Sequence, residues 1–483
     1  MKNIFFIALC VCSLTAKAQY EITVNIDGLR DSAIYLGYYF EDKRYVIDSA
    51  KIDKKGKAVF KSKEAIDKGV YFIGLPKRTA IDFLMTHEPK FSIVAARPYS
   101  LDKLQFKNSP DNVQFLDYQR FLQKQQRKMQ MLRQQKTNNE KGAKDSVDIY
   151  NAQIKNIDET TKKYIHSLMS NNKGSFLQHI LSVLQALEFP DFVMDTNIAN
   201  QDSVLQRHRL QYICKHYFDP INFAEDGLIR TPFFAARIDD FFKNIISPAP
   251  DTVIKYVDVV LNKAKPNKEM FRYLTEHFFV YYQKSPIMSH DAVIMHIVDN
   301  YYLNGVADWT TAERLQVIKV QADRLRPTLL LQKAPDLLLQ TLDGKFISLH
   351  EVNAAYTILF FFEPDCLHCQ KEAPKLWETY QKFRDKNVEV WAVYADYNRA
   401  EWNRFVNIDH HYNWLNLWDG VEGKSLSTGA DTTYSLGSNF RYLYNVDSTP
   451  LIFLLDKDKR IVAKRISIET LEKILDERTK IAP

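Results

Sequence analysis

The stretch Tyr356-Thr-Ile-Leu-Phe-Phe-Phe-Glu363-Pro-Asp-Cys366-Leu-His-Cys369-Gln-Lys-Glu372-Ala-Pro374 decides the reading of the last third of the chain. Tyr356 to Phe362 is an apolar run, the pattern of a strand buried on both faces. Glu363-Pro364-Asp365 ends it, and a helix is expected from near Cys366 to about Asp385. A cysteine at that junction sits at a helix N-terminus, where unpaired amides and the helix dipole favour the reactive thiolate. In CxxC motifs so placed, the first thiol falls from about 8.5 into the range of roughly 3.5–7.5. His368, between the two sulfurs, can add positive charge or a hydrogen bond to the same effect. Cys369 lies one helical turn further on, close enough for ring closure. An attacking Cys366 would form a mixed disulfide, and Cys369 would resolve it. Glu372, three residues past Cys369, shares its helix face and could accept its proton. An exposed helix glutamate is the plainer reading. Pro374, inside the helix, predicts a kink.

Working outward, Val388–Tyr394 reads as the next buried strand and Ala400–Asn407 as a helix. Leu451–Leu455 reads as a strand, Ile461–Ile466 as an edge strand and Ile468–Arg478 as an amphipathic helix. Upstream, Leu337–Gln340 and Phe346–Leu349 flank Asp343-Gly344, a hairpin signal. Thr449-Pro450 precedes a strand that a central proline would disrupt, so a special turn is expected there.

The front of the chain reads differently. From about 20 to 108 it is β-rich: Tyr20–Ile26 alternates with period two, followed by Ala33–Tyr39, Lys57–Phe60 and Val70–Leu75 with polar turns between. An antiparallel sandwich or barrel is expected. From about 111 to 330 helical spacing takes over, at Val113–Met131, Ser146–Met169, Phe233–Ile246, Thr252–Lys263, Met270–Gln283 and His290–Tyr302. Prolines 232, 248, 250, 266 and 286 stand near the expected boundaries. Arg120, Lys124, Arg127, Lys128, Arg133 and Lys136 make one helix basic, which a solvated face explains more simply than an acidic partner.

Lys2, the apolar run Ile4–Leu14 and Ala16-Lys17-Ala18 have the form of a cleaved signal peptide. The run is too short to span a bilayer, which takes roughly 20 residues. Cys10 and Cys12 lack a small residue before them, which disfavours a lipoprotein. Loss of residues 1–18 removes Lys2 and Lys17 and lowers the formal charge from +6 to +4, too little for a nucleic-acid-binding field. It also leaves Cys214, Cys366 and Cys369, one CxxC pair and one odd thiol, and no disulfide framework. A composition of 46% hydrophobic and 26% charged residues is that of a folded protein, and 483 residues exceed one ordinary core.

Taken together, Ala334-Pro335-Asp336, Thr357-Ile-Leu-Phe-Phe-Phe, Cys366-Leu-His-Cys369-Gln-Lys-Glu372-Ala-Pro374 and Ser448-Thr449-Pro450 resemble the thioredoxin superfamily, in particular the exported TlpA/ResA-like thiol-disulfide oxidoreductases. The β-α-β-α-β-β-α order fits. The resemblance implies that Cys366 is the nucleophile, that Cys369 resolves and that Glu372 assists proton transfer. It also implies a cis Pro450 in a loop that faces the cysteines and offers its backbone, with Thr449, to an extended substrate. Glu363-Pro364-Asp365 replaces the usual tryptophan-containing lead-in, and Leu-His stands where a proline more often precedes the second cysteine. Both bear on the redox potential. Residues 20–108 resemble the DUF4369 type found before thioredoxin modules in Bacteroidota. Residues 111–330 resemble the DUF5106 type through Arg230-Thr-Pro-Phe-Phe and Tyr281-Tyr-Gln-Lys-Ser-Pro-Ile-Met.

The expectation is therefore a multidomain chain. It has a signal peptide (1–18), an antiparallel β domain (19–110), an all-α helical domain (111–330) and a C-terminal α/β thioredoxin-like fold (331–483). The expected function is that of a periplasmic reductase of client-protein disulfides, recharged by a membrane thiol carrier of CcdA/DsbD-like type. Apart from a redox-active Cys366–Cys369 disulfide, no cofactor, metal or nucleic acid is expected. Zinc would need a second ligand pair, for which only His410-His411 offers itself. A peroxiredoxin needs threonine where Glu363 stands. A partner-binding scaffold would be expected to have lost a cysteine or the loop proline. Cys214 is expected to be a buried small hydrophobe.

Overall fold

The computed structural model describes residues 20–86, 88, 90–138, 144–192, 200–396, 398–409, 412–419 and 438–481. The signal-peptide reading and His410-His411 fall outside them. The chain divides into two compact units, Met1–Pro248 with Val259–Tyr273, and Ala249–Asp258 with Leu274–Pro483.

In the first unit, β1 (Tyr20–Asp27), β2 (Ala33–Phe40), β3 (Lys43–Lys51), β4 (Lys57–Ser62), β5 (Gly69–Leu75), β6 (Thr79–Met85), β7 (Lys90–Ala96) and β8 (Gln105–Lys107) form two four-stranded sheets. Their orders are β4-β1-β7-β8 and β3-β2-β5-β6. The period-two pattern of β1 points Tyr20, Ile22, Val24 and Ile26 into a core shared with Ile34, Leu36, Ile73, Phe83 and Ile93. One pairing departs from the antiparallel expectation. β1 and β7 run parallel, connected through strands of both sheets rather than by a hairpin. β3 shows no alternation in its sequence because almost all of it is exposed.

Helices α1 (Pro110–Asn138), α2 (Lys144–Asn171), α3 (Phe176–Leu184), α4 (Gln201–His216) and α5 (Phe234–Asp240) follow. Asn112, 1% exposed, fastens α1 to β6: its side chain accepts from the Leu84 amide at 2.6 Å and donates to the Leu84 carbonyl at 2.8 Å. Asn112→Ala leaves both buried groups unpaired, for an expected loss of about 2–3 kcal/mol. Chemical denaturation of the whole chain checks this, and an unchanged midpoint would contradict it. Basic residues Lys124, Arg127 and Lys128 are exposed, whereas Arg120 turns back to the Leu101 and Leu104 carbonyls. The expectation for Cys214 needs correction. It is only half-buried, on α4, none of whose residues is fully buried. Arg207, Arg209 and Lys215 are exposed, and the face that α4 turns inward, including Val204, Leu205, Tyr212 and Ile213, is itself only half-buried.

Helices α6 (Pro250–Ala264), α7 (Lys268–Gln283), α8 (Asp291–Ile297) and α9 (Ala312–Leu325) complete the helical part. α5 and α8 each run on into a wider i→i+5 turn, at Phe241–Ile245 and Val298–Tyr302, so the apolar spacing continues past the α-helix itself.

The second unit contains the hairpin β9 (Leu338–Gln340) and β10 (Phe346–Ser348), turned at Gly344 with φ 85°. Then come β11 (Tyr356–Phe362), α10 (Leu367–Phe383), β12 (Val388–Tyr394), α11 (Arg399–Arg404), β13 (Leu415–Leu417), α12 (Phe440–Leu443), β14 (Leu451–Asp456), β15 (Ile461–Lys464) and α13 (Ile468–Ile481). The sheet order is β13-β12-β11-β14-β15, with β11 parallel to β12 and antiparallel to β14. β11 therefore lies at the centre, which is why its sequence is apolar on both faces. Ile358, Phe360 and Phe362 pack with α10 and α13, while Leu359 and Phe361 pack on the other side with Leu339, Phe440 and Tyr444. β13 and α12 are additions to the expected order, each too short to carry a detectable period. α10 contains Pro374 and continues to Phe383.

Candidate thiol–disulfide site

The buried β11 ends at Phe362, and the turn Glu363-Pro364-Asp365 delivers Cys366 to the N-cap of α10, at φ −73° and ψ 114°. The turn is closed by a hydrogen bond from the Cys366 amide to the Glu363 carbonyl, 3.2 Å. As N-cap, the Cys366 sulfur accepts from the Cys369 amide at 3.4 Å, the bond a serine or aspartate oxygen would make in that position. The Cys366 thiol also donates to the Thr449 carbonyl at 3.4 Å. The Thr449–Pro450 peptide is cis. The fold thus brings the half-buried Thr449-Pro450 loop to a CxxC pair that begins 83 residues earlier in the chain, in which Cys366 is half-buried and Cys369 is 2% exposed.

The two thiols move apart electrostatically. Burial pushes Cys366 up, but the amides of Cys369 and His368, with hydrogen bonds from Cys369 and Thr449, outweigh it and the net shift is down. Burial dominates at Cys369 and pushes it up to about 12. One accessible sulfur therefore favours the thiolate, and its buried neighbour holds its proton. The reduced protein should accordingly lose Cys366 to iodoacetamide first, with a rate–pH midpoint below the ordinary thiol value of about 8.5. Peptide mapping after timed alkylation reads this, and equal labelling of both cysteines would contradict it.

The other residues singled out from the sequence take these places. The His368 side chain is exposed, and what this residue directs at Cys366 is its backbone amide. Glu372 pairs with Lys375 at 2.7 Å and is hydrogen-bonded to neither sulfur. The sequence reading missed Arg441, on α12, whose guanidinium grips the Glu363 carboxylate at 3.2 Å and bonds the Ala395 carbonyl. No local signal could have paired it with this turn. Among the described residues there is no group of three or more His, Cys, Asp or Glu side chains that could hold a metal ion, and no helix is long and apolar enough to cross a membrane.

Family models match three parts of the chain. Residues 330–464 match the AhpC/TSA family, residues 199–324 match the domain of unknown function DUF5106, and residues 20–115 match the domain of unknown function DUF4369. The chain is similar to the thiol-disulfide oxidoreductase ResA of Bacillus anthracis, 30% identical over 152 residues, which are 32% of this chain and 78% of the relative. A solved domain of a possible thiol-disulfide isomerase from Cytophaga hutchinsonii is 36% identical and covers 32% of this chain and 95% of its own, with a TM-score of 0.27. A solved thioredoxin-like protein from Bacteroides caccae is 19% identical over 60% of this chain and 99% of its own, with a TM-score of 0.44. The likeness to ResA spans 78% of that relative, and the AhpC/TSA match covers the residues that carry the two cysteines. Through its C-terminal third, the chain belongs to the ResA-like thiol-disulfide oxidoreductases of the thioredoxin superfamily.

Proposed function

We propose that this oxidoreductase is an exported reductase of protein disulfides that works through Cys366 and Cys369. The observation that carries the reading is geometric: Cys366 caps α10 half-buried and accepts from the Cys369 amide at 3.4 Å, while Cys369 is 2% exposed, an asymmetry that lowers the first thiol and raises the second. The Cys366 thiolate attacks one sulfur of a client disulfide. A Cys366–client bond forms, the client's own S–S bond breaks, and the departing client sulfur takes up a proton. Cys369 then gives its proton to a base, for which Glu372 is the nearest carboxylate along the helix, and attacks Cys366. The second client thiol leaves, and two electrons have passed from the pair to the client. Thr449 and Pro450 hold the client backbone beside Cys366, and His368 tunes the potential.

A thiol carrier in the membrane, of the CcdA/DsbD-like type, would return the pair to its reduced form. Residues 1–18 would direct export to the periplasm, and regions 19–110 and 111–330 would select or position the client. Equilibrium titration of the purified mature chain against glutathione and dithiothreitol tests the proposal. A reversible two-electron transition with a midpoint well below about −180 mV is expected, and a value above it would turn the reading from reductase to oxidant. Absence of any transition would leave the thioredoxin unit as a scaffold for partner binding.

A further inference from the structure

Glu363 does more at this site than end a strand. Its carbonyl takes the Cys366 amide at 3.2 Å, and its own amide is directed at the Cys369 sulfur, so its backbone touches both redox residues. Its carboxylate is held at 3.2 Å by Arg441, which reaches over from α12 and also bonds the Ala395 carbonyl. The Ala395 amide in turn donates to the Phe362 carbonyl at 2.8 Å, which closes a stitch between the ends of β11 and β12. Along the same stretch Asp365, His368 and Lys371 are exposed, Glu372 is paired with Lys375 on its own helix, and Asp447, beside the Thr449 loop, is paired with Arg465. Glu363 is the acid of this turn whose countercharge comes from a different element.

We propose that the Glu363–Arg441 ion pair is a positioning device that sets the reduction potential of the Cys366–Cys369 couple. It holds the turn that carries both backbone contacts and cancels a carboxylate charge that would otherwise oppose a thiolate. The inference rests on the redox role proposed above. Failure of that role would show as no transition in the unaltered protein, whereas failure of this one shows only in the variants.

The two charges act with opposite sign, and that separates an electrostatic role from a merely structural one. Arg441→Gln leaves the carboxylate uncompensated, disfavours the thiolate and stabilises the disulfide relative to the dithiol. The equilibrium with glutathione should move at least about threefold toward the disulfide form, about 14 mV more negative at 29.6 mV per tenfold. Glu363→Gln leaves the cation and should move the same equilibrium about threefold the other way. The double variant Glu363→Gln/Arg441→Gln should return to near the starting value. The rate–pH midpoint for alkylation of Cys366 should follow, up for Arg441→Gln and down for Glu363→Gln.

Shifts of the same sign in both single variants, or no shift in either, would overturn the proposal. Circular dichroism establishes that each variant is folded. Should Arg441→Gln not fold, Arg441→Lys keeps the charge without the fork and should keep the potential, while Glu363→Gln preserves the side-chain shape and still reports the sign.

Discussion

Cys366→Ser should abolish disulfide exchange, while Cys369→Ser should stop it halfway. The two effects differ because the two sulfurs differ in position. Cys366 caps α10, is half-buried and has its thiol lowered by amides aimed at it, so it should be the sulfur an incoming disulfide meets. Removing it takes away the nucleophile, and turnover of a disulfide substrate should fall on the order of a thousandfold or more. Cys369 is 2% exposed with its thiol pushed up to about 12, which suits it to a second step after Cys366 has been consumed. Without it, the mixed disulfide between Cys366 and the client has no internal exit. A covalent adduct should therefore accumulate with Cys369→Ser and vanish on addition of dithiothreitol. Non-reducing electrophoresis with mass spectrometry reads both variants. An adduct formed through Cys369 in the Cys366→Ser protein would reverse the assignment.

Asp291→Ala should destabilise the second unit by about 3–5 kcal/mol, the usual cost of leaving one member of a buried ion pair alone. Lys464 on β15 is 3% exposed along its side chain, and its ammonium pairs with the Asp291 carboxylate at the start of α8. Burial pulls Lys464 below the ordinary lysine value, and Asp291 pulls it back up. Without Asp291 the ammonium keeps its desolvation penalty and loses its compensation. At pH 7 the unfolded chain then binds a proton that the folded one holds poorly. Stability of the variant should therefore rise with pH between the depressed folded value and the unfolded one of about 10.4. Urea denaturation of the full chain at pH 7 and pH 9.5 measures both quantities. The double variant Asp291→Leu/Lys464→Met, which replaces charge by apolar volume, should recover most of the loss. A loss below about 1 kcal/mol in Asp291→Ala would place the pair among exposed bridges that contribute little. The functional consequence is close by. β15 pairs with β14, and β14 begins directly after Thr449-Pro450. Asp291, inside the stretch matched by the DUF5106 model, thus helps hold the strand that follows the cis-proline loop.

Much of the C-terminal unit was legible because its signals are local. The apolar run Tyr356–Phe362, the break at Pro364 and the cysteine opening a helix are each written within a few consecutive residues, and their physics acts over the same distance. The hairpin around Gly344 and the alternation of β1 are legible for the same reason. The sequence alone therefore determined the kind of fold, the pair of sulfurs and the position of Cys366 at a helix N-terminus. Tertiary structure decided what depends on residues distant along the chain. It placed the Thr449 carbonyl at 3.4 Å from Cys366, brought Arg441 to Glu363, and buried Lys464 against Asp291. It also added β13 beside β12 and left Cys214, expected as a buried small hydrophobe, half-buried. A strand of three residues has no period to read, and an ion pair between distant positions leaves no mark on either neighbourhood. Such partners are chosen by register and packing, which exist only once the chain has folded.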